Sequence, residues 1–262
     1  MLEALFAAVA GLIIGSFLNV CIYRMPRDLS VVRPRSFCPA CEHPVAWYDN
    51  IPVMSYLALR GHCRHCSKPI PLRYPVVEAL TGALLFIFVL RLGLSVRAFK
   101  LSVFAALVVG LIFSDLEERI LPDEFTIGGT VLGLLFVVLA PDSNGLMRLF
   151  LPSNWGVRWL SLTECVIGAA VPSLLLWGMG AAYEKIRHKE GLGFGDVLMV
   201  AMIGAFFGIE GAVAAVMYGS LLGSIIGIIY IYGTRKDPGS YPLPFGTFLG
   251  AGALAVAFMA LR

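Results

Sequence analysis

This chain is short of charge. Lys, Arg, Asp and Glu together make up 14% of its 262 residues, where a soluble domain usually carries about a quarter. Hydrophobic residues make up 58%, and mean hydropathy is +0.83. Water cannot solvate that much apolar surface, so a water-soluble globular domain is excluded and lipid is the expected solvent. A basic N-terminal cluster is also lacking. The one early charge is Glu3, and the apolar run continues to about Cys21 before Arg24 and Arg27 appear. A secretory signal peptide opens with positive charge, so this run reads as a retained first helix. No strong internal repeat and no low-complexity tract is visible. The net charge of +3 is small, and no nucleic-acid partner is expected.

What is present is a series of apolar runs. A spanning helix needs about 20 mostly apolar residues, so the chain is best counted in helices. They are expected at about 3–23, 75–91, 98–114, 125–140, 161–183, 196–208, 211–233 and 244–261. The sixth is short and punctuated by glycine. Loops follow at Pro141, Asp142, Asn144 and Pro152, and at Glu184, Lys185, Arg187, Lys189 and Glu190. The predicted fold is an all-α polytopic membrane protein with about eight transmembrane helices. Residues 1–23 form the first helix, 24–74 a small polar domain rich in Pro and Cys, and 75–262 the membrane core.

Lys and Arg accumulate on cytoplasmic loops. With eight helices, fourteen of the twenty Lys and Arg residues fall on the side of 24–74, 115–124, 183–195 and 234–243. That side is predicted to be cytoplasmic. Even numbers of helices separate 24–74 from 115–124, and 115–124 from 183–196. The Cys-rich domain, Asp115 and Asp196 are therefore expected at one membrane face.

Asp115 closes the third apolar run, in Phe113-Ser114-Asp115-Leu116-Glu117-Glu118. A carboxylate there is costly unless it is paired or reaches water. Asp196 follows Gly191-Leu192-Gly193-Phe194-Gly195 and opens the sixth run, where the helix dipole favours negative charge and glycines permit close helix packing. Taken singly, each aspartate reads first as a helix cap or a solvated interface residue. Taken together at one face they suit peptide hydrolysis. Like charges at close range share a proton. The ionised member then activates water while the protonated one polarises the scissile carbonyl. On chemistry alone, Asp123 and Glu117 compete for these roles. A nucleotide or methyl-donor loop at Gly191-x-Gly193-x-Gly195 would need a βαβ unit, and its flanks here are membrane helices.

Of six cysteines, four sit in Cys38-Pro39-Ala40-Cys41 and Cys63-Arg64-His65-Cys66, while Cys21 and Cys165 lie in apolar segments. Two C-x-x-C units supply four thiolates for a closed tetrahedral site, the pattern of structural zinc in a reducing compartment. A segment of about 50 residues is too small for a large core, so a metal staple is physically sensible. His43, His62 and His65 are expected at the surface, since Cys38, Cys41, Cys63 and Cys66 already fill the site. Glu42, Asp49 and the nearby arginines are expected to be solvated.

These segments are joined by Gly15-Ser16-Phe17-Leu18-Asn19-Val20, Tyr23-Arg24, Tyr74-Pro75-Val76-Val77-Glu78, Leu121-Pro122-Asp123 and Pro244-Phe245-Gly246. As a set they resemble the bacterial type IV prepilin peptidases, GxGD-type intramembrane aspartic proteases that act as leader peptidase and N-methyltransferase. The resemblance covers nearly the whole chain. It implies cleavage of prepilins and pseudopilins after a glycine that follows a basic leader, at the cytoplasmic face of the bacterial inner membrane. It assigns catalysis to Asp115 and Asp196 in preference to Asp123. It also implies methylation of the new N-terminus with S-adenosylmethionine, whose binding residues the sequence does not reveal. One departure is Leu198, where the family often has lysine two residues after the second aspartate. Arg24, Arg27, Arg33 and Arg35 would repel a basic leader and are expected to meet anionic lipid headgroups. The competing readings are a transporter or channel whose carboxylates bind a cation or proton, and a non-catalytic zinc-bearing scaffold.

Overall fold

A computed structural model describes residues 1–141, 145–152, 154–188, 191–234 and 244–261. Asp142, Asn144, Lys189, Glu190 and residues 235–243 of the predicted loops lie outside these, as does Arg262. The helices are α1 (Leu2–Arg24), α2 (Met54–Ala58), α3 (Arg73–Leu92), α4 (Val96–Glu118), α5 (Asp123–Leu139), α6 (Val157–Arg187), α7 (Phe194–Thr234) and α8 (Phe245–Met259). Among the described residues the fold is all-helical apart from two isolated β-bridges. Among the described residues five stretches are long and apolar enough to cross a membrane: Leu2–Arg27, Arg73–Leu92, Val96–Glu118, Val157–Arg187 and Phe194–Tyr230. The chain divides into two compact units, Met1–Ser114 and Asp115–Arg262.

In the first unit α1 lies along α3. The contact is built on glycine: a Cβ at Gly11 would stand 2.8 Å from the Gly82 backbone, and one at Gly15 would stand 2.6 Å from the Glu78 Cα. Lipid offers helices no hydrophobic reason to associate, so close backbone approach at small residues must supply the packing. The other side of α1 leaves Phe6, Val9, Ile13 and Phe17 exposed, as a lipid-facing stripe should be. The polar residues of α1 and α3 are tied in. Asn19 donates to the carbonyls of Gly15 and Tyr74 at 3.2 and 3.0 Å. Glu78 accepts the backbone N–H of Val53 at 2.7 Å, which anchors the Cys-rich segment at a residue held at φ 61°.

Arg24 departs from its predicted lipid role. It is 5% exposed and donates to the carbonyls of Ser30 and Arg35 at 2.9 and 3.3 Å, with Phe37 against its guanidinium. The chain leaving α1 turns back over this side chain, and the turn's carbonyls need a donor more than a headgroup does. Asp49 also departs from the solvated reading, since Arg64 grips it with two bonds of 2.8 and 2.6 Å. That guanidinium holds the Asp49 carboxyl below its ordinary value.

In the second unit α7 is central and packs against α5, α6 and α8. In its first half Met199, Val200, Met202 and Ile203 are all inaccessible, while Phe194 at its start is exposed. Small residues again set the contacts. Gly204 meets the Gly168 backbone of α6, Gly133 of α5 meets Ala205 and Phe206, and Gly252 of α8 meets Ala215. Helix α7 is not straight. Gly208 breaks it at φ 72°, ψ −169°, a conformation essentially reserved for glycine. A straight helix of 41 residues would be roughly 60 Å long. Yet Asp196 near its start and Thr247 beyond its end both act on Asp115, so the two halves must turn back at the break. They correspond to the predicted helices 196–208 and 211–233.

The break is held by a residue the sequence did not flag. Glu164 of α6, 8% exposed, accepts the N–H of Ile209 at 3.2 Å and the N–H of Met147 at 2.8 Å. Ile209 starts the second half of α7, and its N–H has no carbonyl one turn earlier to bond. Glu164 caps that end from a neighbouring helix.

Candidate active site and metal centre

Asp115 is the fourth residue from the end of α4, at the pole of its own helix where negative charge is disfavoured. It is only 6% exposed, so it needs donors from elsewhere, and α8 supplies them. Oδ2 of Asp115 accepts the backbone N–H of Thr247 at 2.6 Å and the Thr247 hydroxyl at 2.8 Å. Thr247 is the third residue of α8, whose N-cap, Pro244, makes no capping bond of its own. The Thr247 N–H in the first turn of α8 and the buried carboxylate therefore satisfy one another across 132 residues of sequence. Arg119 lies within electrostatic reach of the same carboxylate.

Asp196 is the third residue of α7, in the turn closed by its N–H to the Gly193 carbonyl at 3.1 Å. It is 9% exposed, and Asp115 stands close enough for the charge of one to act on the other. The glycines around the pair make room for it. A Cβ at Gly246 would lie 3.1 Å from Cγ of Asp115, and one at Gly193 would lie 3.3 Å from Oδ2 of Asp196. Leu121 fills the wedge between segments, 3.0 Å from a Cβ on Gly195 and 3.1 Å from one on Gly246. Three sequence segments, 115–121, 193–196 and 246–247, thus converge on one buried point. Asp123 and Glu117, the competing acids, are exposed. The Thr247 contact went unread because Pro244-Phe245-Gly246 ends one residue short of it.

The arrangement offers two buried carboxylates from different helices, one with an oxygen already occupied by two donors. A pair of this kind can share a proton, and one member can activate water while the other polarises a carbonyl.

In the first unit the two C-x-x-C turns come together. Phe37 bridges to Pro44 and His62 to Pro69. The N–H of Cys38 bonds the His43 carbonyl, and that of Cys63 bonds the Lys68 carbonyl. Glu42 and Ser67, each following a second cysteine, take φ 58° and 56°. The bridge, the cysteine N–H bond and the positive-φ residue of the first turn each recur 25 positions later, so the two turns form a short structural repeat. The sulfurs of Cys38, Cys41, Cys63 and Cys66 lie within 4.8 Å of one another. Cys38 Sγ and Cys66 Sγ are 3.9 Å apart. That is far beyond a disulfide bond and matches the edge of a tetrahedron with metal–sulfur bonds of about 2.3 Å, roughly 3.8 Å.

The electrostatics fit as well. The backbone N–H groups of Cys66 and His65 pull the Cys63 thiol down to about 7. The His43 N–H favours the Cys41 thiolate, but burial and the three neighbouring thiols push Cys41 up to about 11. A bound cation removes that conflict. The four cysteines could hold a metal ion. The rings of His43 and His65 pack against each other at 3.6 Å, tilted by 38°, and among the described residues neither belongs to the four-cysteine group.

Residues 9–92 match the family described as the bacterial peptidase A24 N-terminal domain, and residues 101–228 match the type IV leader peptidase family. Three curated relatives carry the name prepilin leader peptidase/N-methyltransferase. The one from Myxococcus xanthus is 40% identical over 90% of this chain, which spans 65% of that relative. The one from Burkholderia pseudomallei strain 1026b is 33% identical over 98% of this chain and 85% of its own length. The one from Aeromonas hydrophila is 34% identical over 94% and 87%. No solved structure matches the chain. With both halves of the chain matched in order, and relatives of this identity covered over most of their length, the chain belongs to the peptidase A24 family of type IV leader peptidases.

Proposed function

We propose that this protein cleaves the leader peptide of type IV prepilins and pseudopilins, with Asp115 and Asp196 as its catalytic dyad. The observation that carries this reading is a pair of buried carboxylates, on separate helices, held within electrostatic reach of each other. One carboxylate takes a proton from water while the other, protonated, hydrogen-bonds the scissile carbonyl, and the roles reverse as the amine leaves. The dyad lies at helix ends, which suits a cut at the membrane border. An ion-transport site is expected nearer the bilayer midplane.

The charge bias of the loops supports a cytoplasmic position for the dyad in a bacterial inner membrane. The parity count runs through α3 to α6 and takes the 17-residue α5 as a span. The domain plan retains 1–23 as the first helix, 24–74 as the metal-binding domain and 75–262 as the membrane core. Four thiolates without an open position suit structural zinc at Cys38, Cys41, Cys63 and Cys66. The names of the relatives support a second activity, methylation of the new N-terminus, for which S-adenosylmethionine would be the donor. The test is cleavage of a prepilin by the purified full chain. Asp115→Asn and Asp196→Asn should each abolish it, and normal processing by either variant refutes the dyad.

A further inference from the structure

The geometry assigns Thr247 as the positioning residue of the dyad, setting which oxygen of Asp115 takes part in the reaction. This rests on the proposed protease reading.

Asp115 stands at the carboxyl end of α4, where its own helix presents carbonyls; Arg119, four residues on, acts on it by charge, and α8 supplies hydrogen-bond donors. Two hydrogen bonds to its carboxylate come from one residue of α8 and fall on one oxygen, Oδ2. The backbone N–H and the hydroxyl are two separate donors on the same oxygen, so together they restrain the carboxyl group more than either would alone. Gly246 allows this, since a Cβ there would press on Cγ of Asp115 at 3.1 Å. With Oδ2 occupied, Oδ1 is the oxygen left to share a proton with Asp196 or to meet the attacking water. A freely rotating carboxylate would present either oxygen. Productive alignment of reacting atoms is worth orders of magnitude in rate.

The backbone N–H of Thr247 survives most substitutions, so the hydroxyl is the testable half. Thr247→Val keeps shape and removes the donor. Thr247→Ser keeps the donor and removes the methyl group. Thr247→Ala removes both. Cleavage of a prepilin would be followed at saturating and limiting substrate with the full chain in detergent micelles, with Asp115→Asn beside it. The expected result is a fall in kcat of about 10- to 100-fold for Val and Ala, with KM within about twofold, and near-complete rescue by Ser. A loss in Ser and Ala with Val normal assigns the residue to packing and overturns the inference, as does a change confined to KM. If Val fails to fold, activity in Ser beside a loss in folded Ala upholds the inference, and equal activity in both overturns it. Wild-type rates in Val beside an inactive Asp115→Asn overturn only the role of Thr247. Wild-type rates in Asp115→Asn overturn the protease reading itself.

Discussion

Removing the Asp115 side chain and merely neutralising it should have different consequences, and the structure says how different. Asp115 caps the first turn of α8 from a distance, accepting the Thr247 N–H and hydroxyl on Oδ2. Asparagine retains one carbonyl oxygen of the same reach, and it ranks with aspartate as a helix cap. Asp115→Asn should therefore unfold within a degree or two of the parent. Asp115→Ala leaves the N–H without an acceptor in a site only 6% exposed. Loss of a cap costs about 0.5–2 kcal/mol, and a stranded buried donor costs about 1–3 kcal/mol. Since these describe the same bond, the total should stay near 1–3 kcal/mol. Both variants lose the titratable group, so both should lose cleavage by at least about 10²–10⁴-fold. The assay pairs prepilin cleavage with thermal unfolding of the full chain in detergent, read by tryptophan fluorescence. Asparagine as destabilised as alanine would refute the capping argument. Asparagine with more than a tenth of parental activity would refute the catalytic one.

Three further outcomes are expected. Gly246→Ala should lower cleavage strongly with little loss of expression, since its Cβ would meet Cγ of Asp115 and Cδ1 of Leu121 at 3.1 Å; Gly128→Ala, whose Cβ meets nothing within 4 Å, is the control, and equal activities would count against the tight packing of the dyad. Gly208→Ala should cost about 1–3 kcal/mol for its φ of 72°, measured by unfolding, and should exceed the cost of Glu164→Gln, which keeps an acceptor for the Ile209 N–H; a neutral Gly208→Ala would mean that the break is not needed. The purified protein should hold one metal ion, measured by elemental analysis, which Cys38→Ser and Cys63→Ser lose and Cys21→Ser and Cys165→Ser keep. Chelation should then lower the stability of the 24–74 domain, and a metal-free preparation with that domain intact would exclude the centre.

How much of this was open to reading from the sequence depends on whether the cause was local. The apolar runs were legible because lipid imposes a length and a composition on each span separately. Both cysteine turns were legible because each carries its two cysteines within four residues, and so was the position of each aspartate at a helix end. The contacts between helices were not. Gly11 and Gly15 are one turn apart on α1, yet nothing nearby says that they meet Gly82 and Glu78. Glu164 reads as a stray acid in an apolar helix until Ile209 is seen to need an acceptor. Arg24 looks like any interfacial arginine until the following turn closes over it. For Glu164 and Arg24 a polar group is satisfied by a partner that only the tertiary fold supplies.

The same rule explains why the dyad could be half seen. Asp196 sits at the amino end of its own helix, so its setting is written in the glycines beside it. Asp115 sits at the wrong end of its own helix and is made tolerable by the amino end of another, 132 residues away. Its neighbours in sequence, Glu117 and Asp123, gave no reason to prefer it, and they are exposed where it is buried. A carboxylate placed where its own helix opposes it must be held by the rest of the fold. Such a residue is costly to keep in a membrane protein, and that cost is the physical argument for giving it the work of the site.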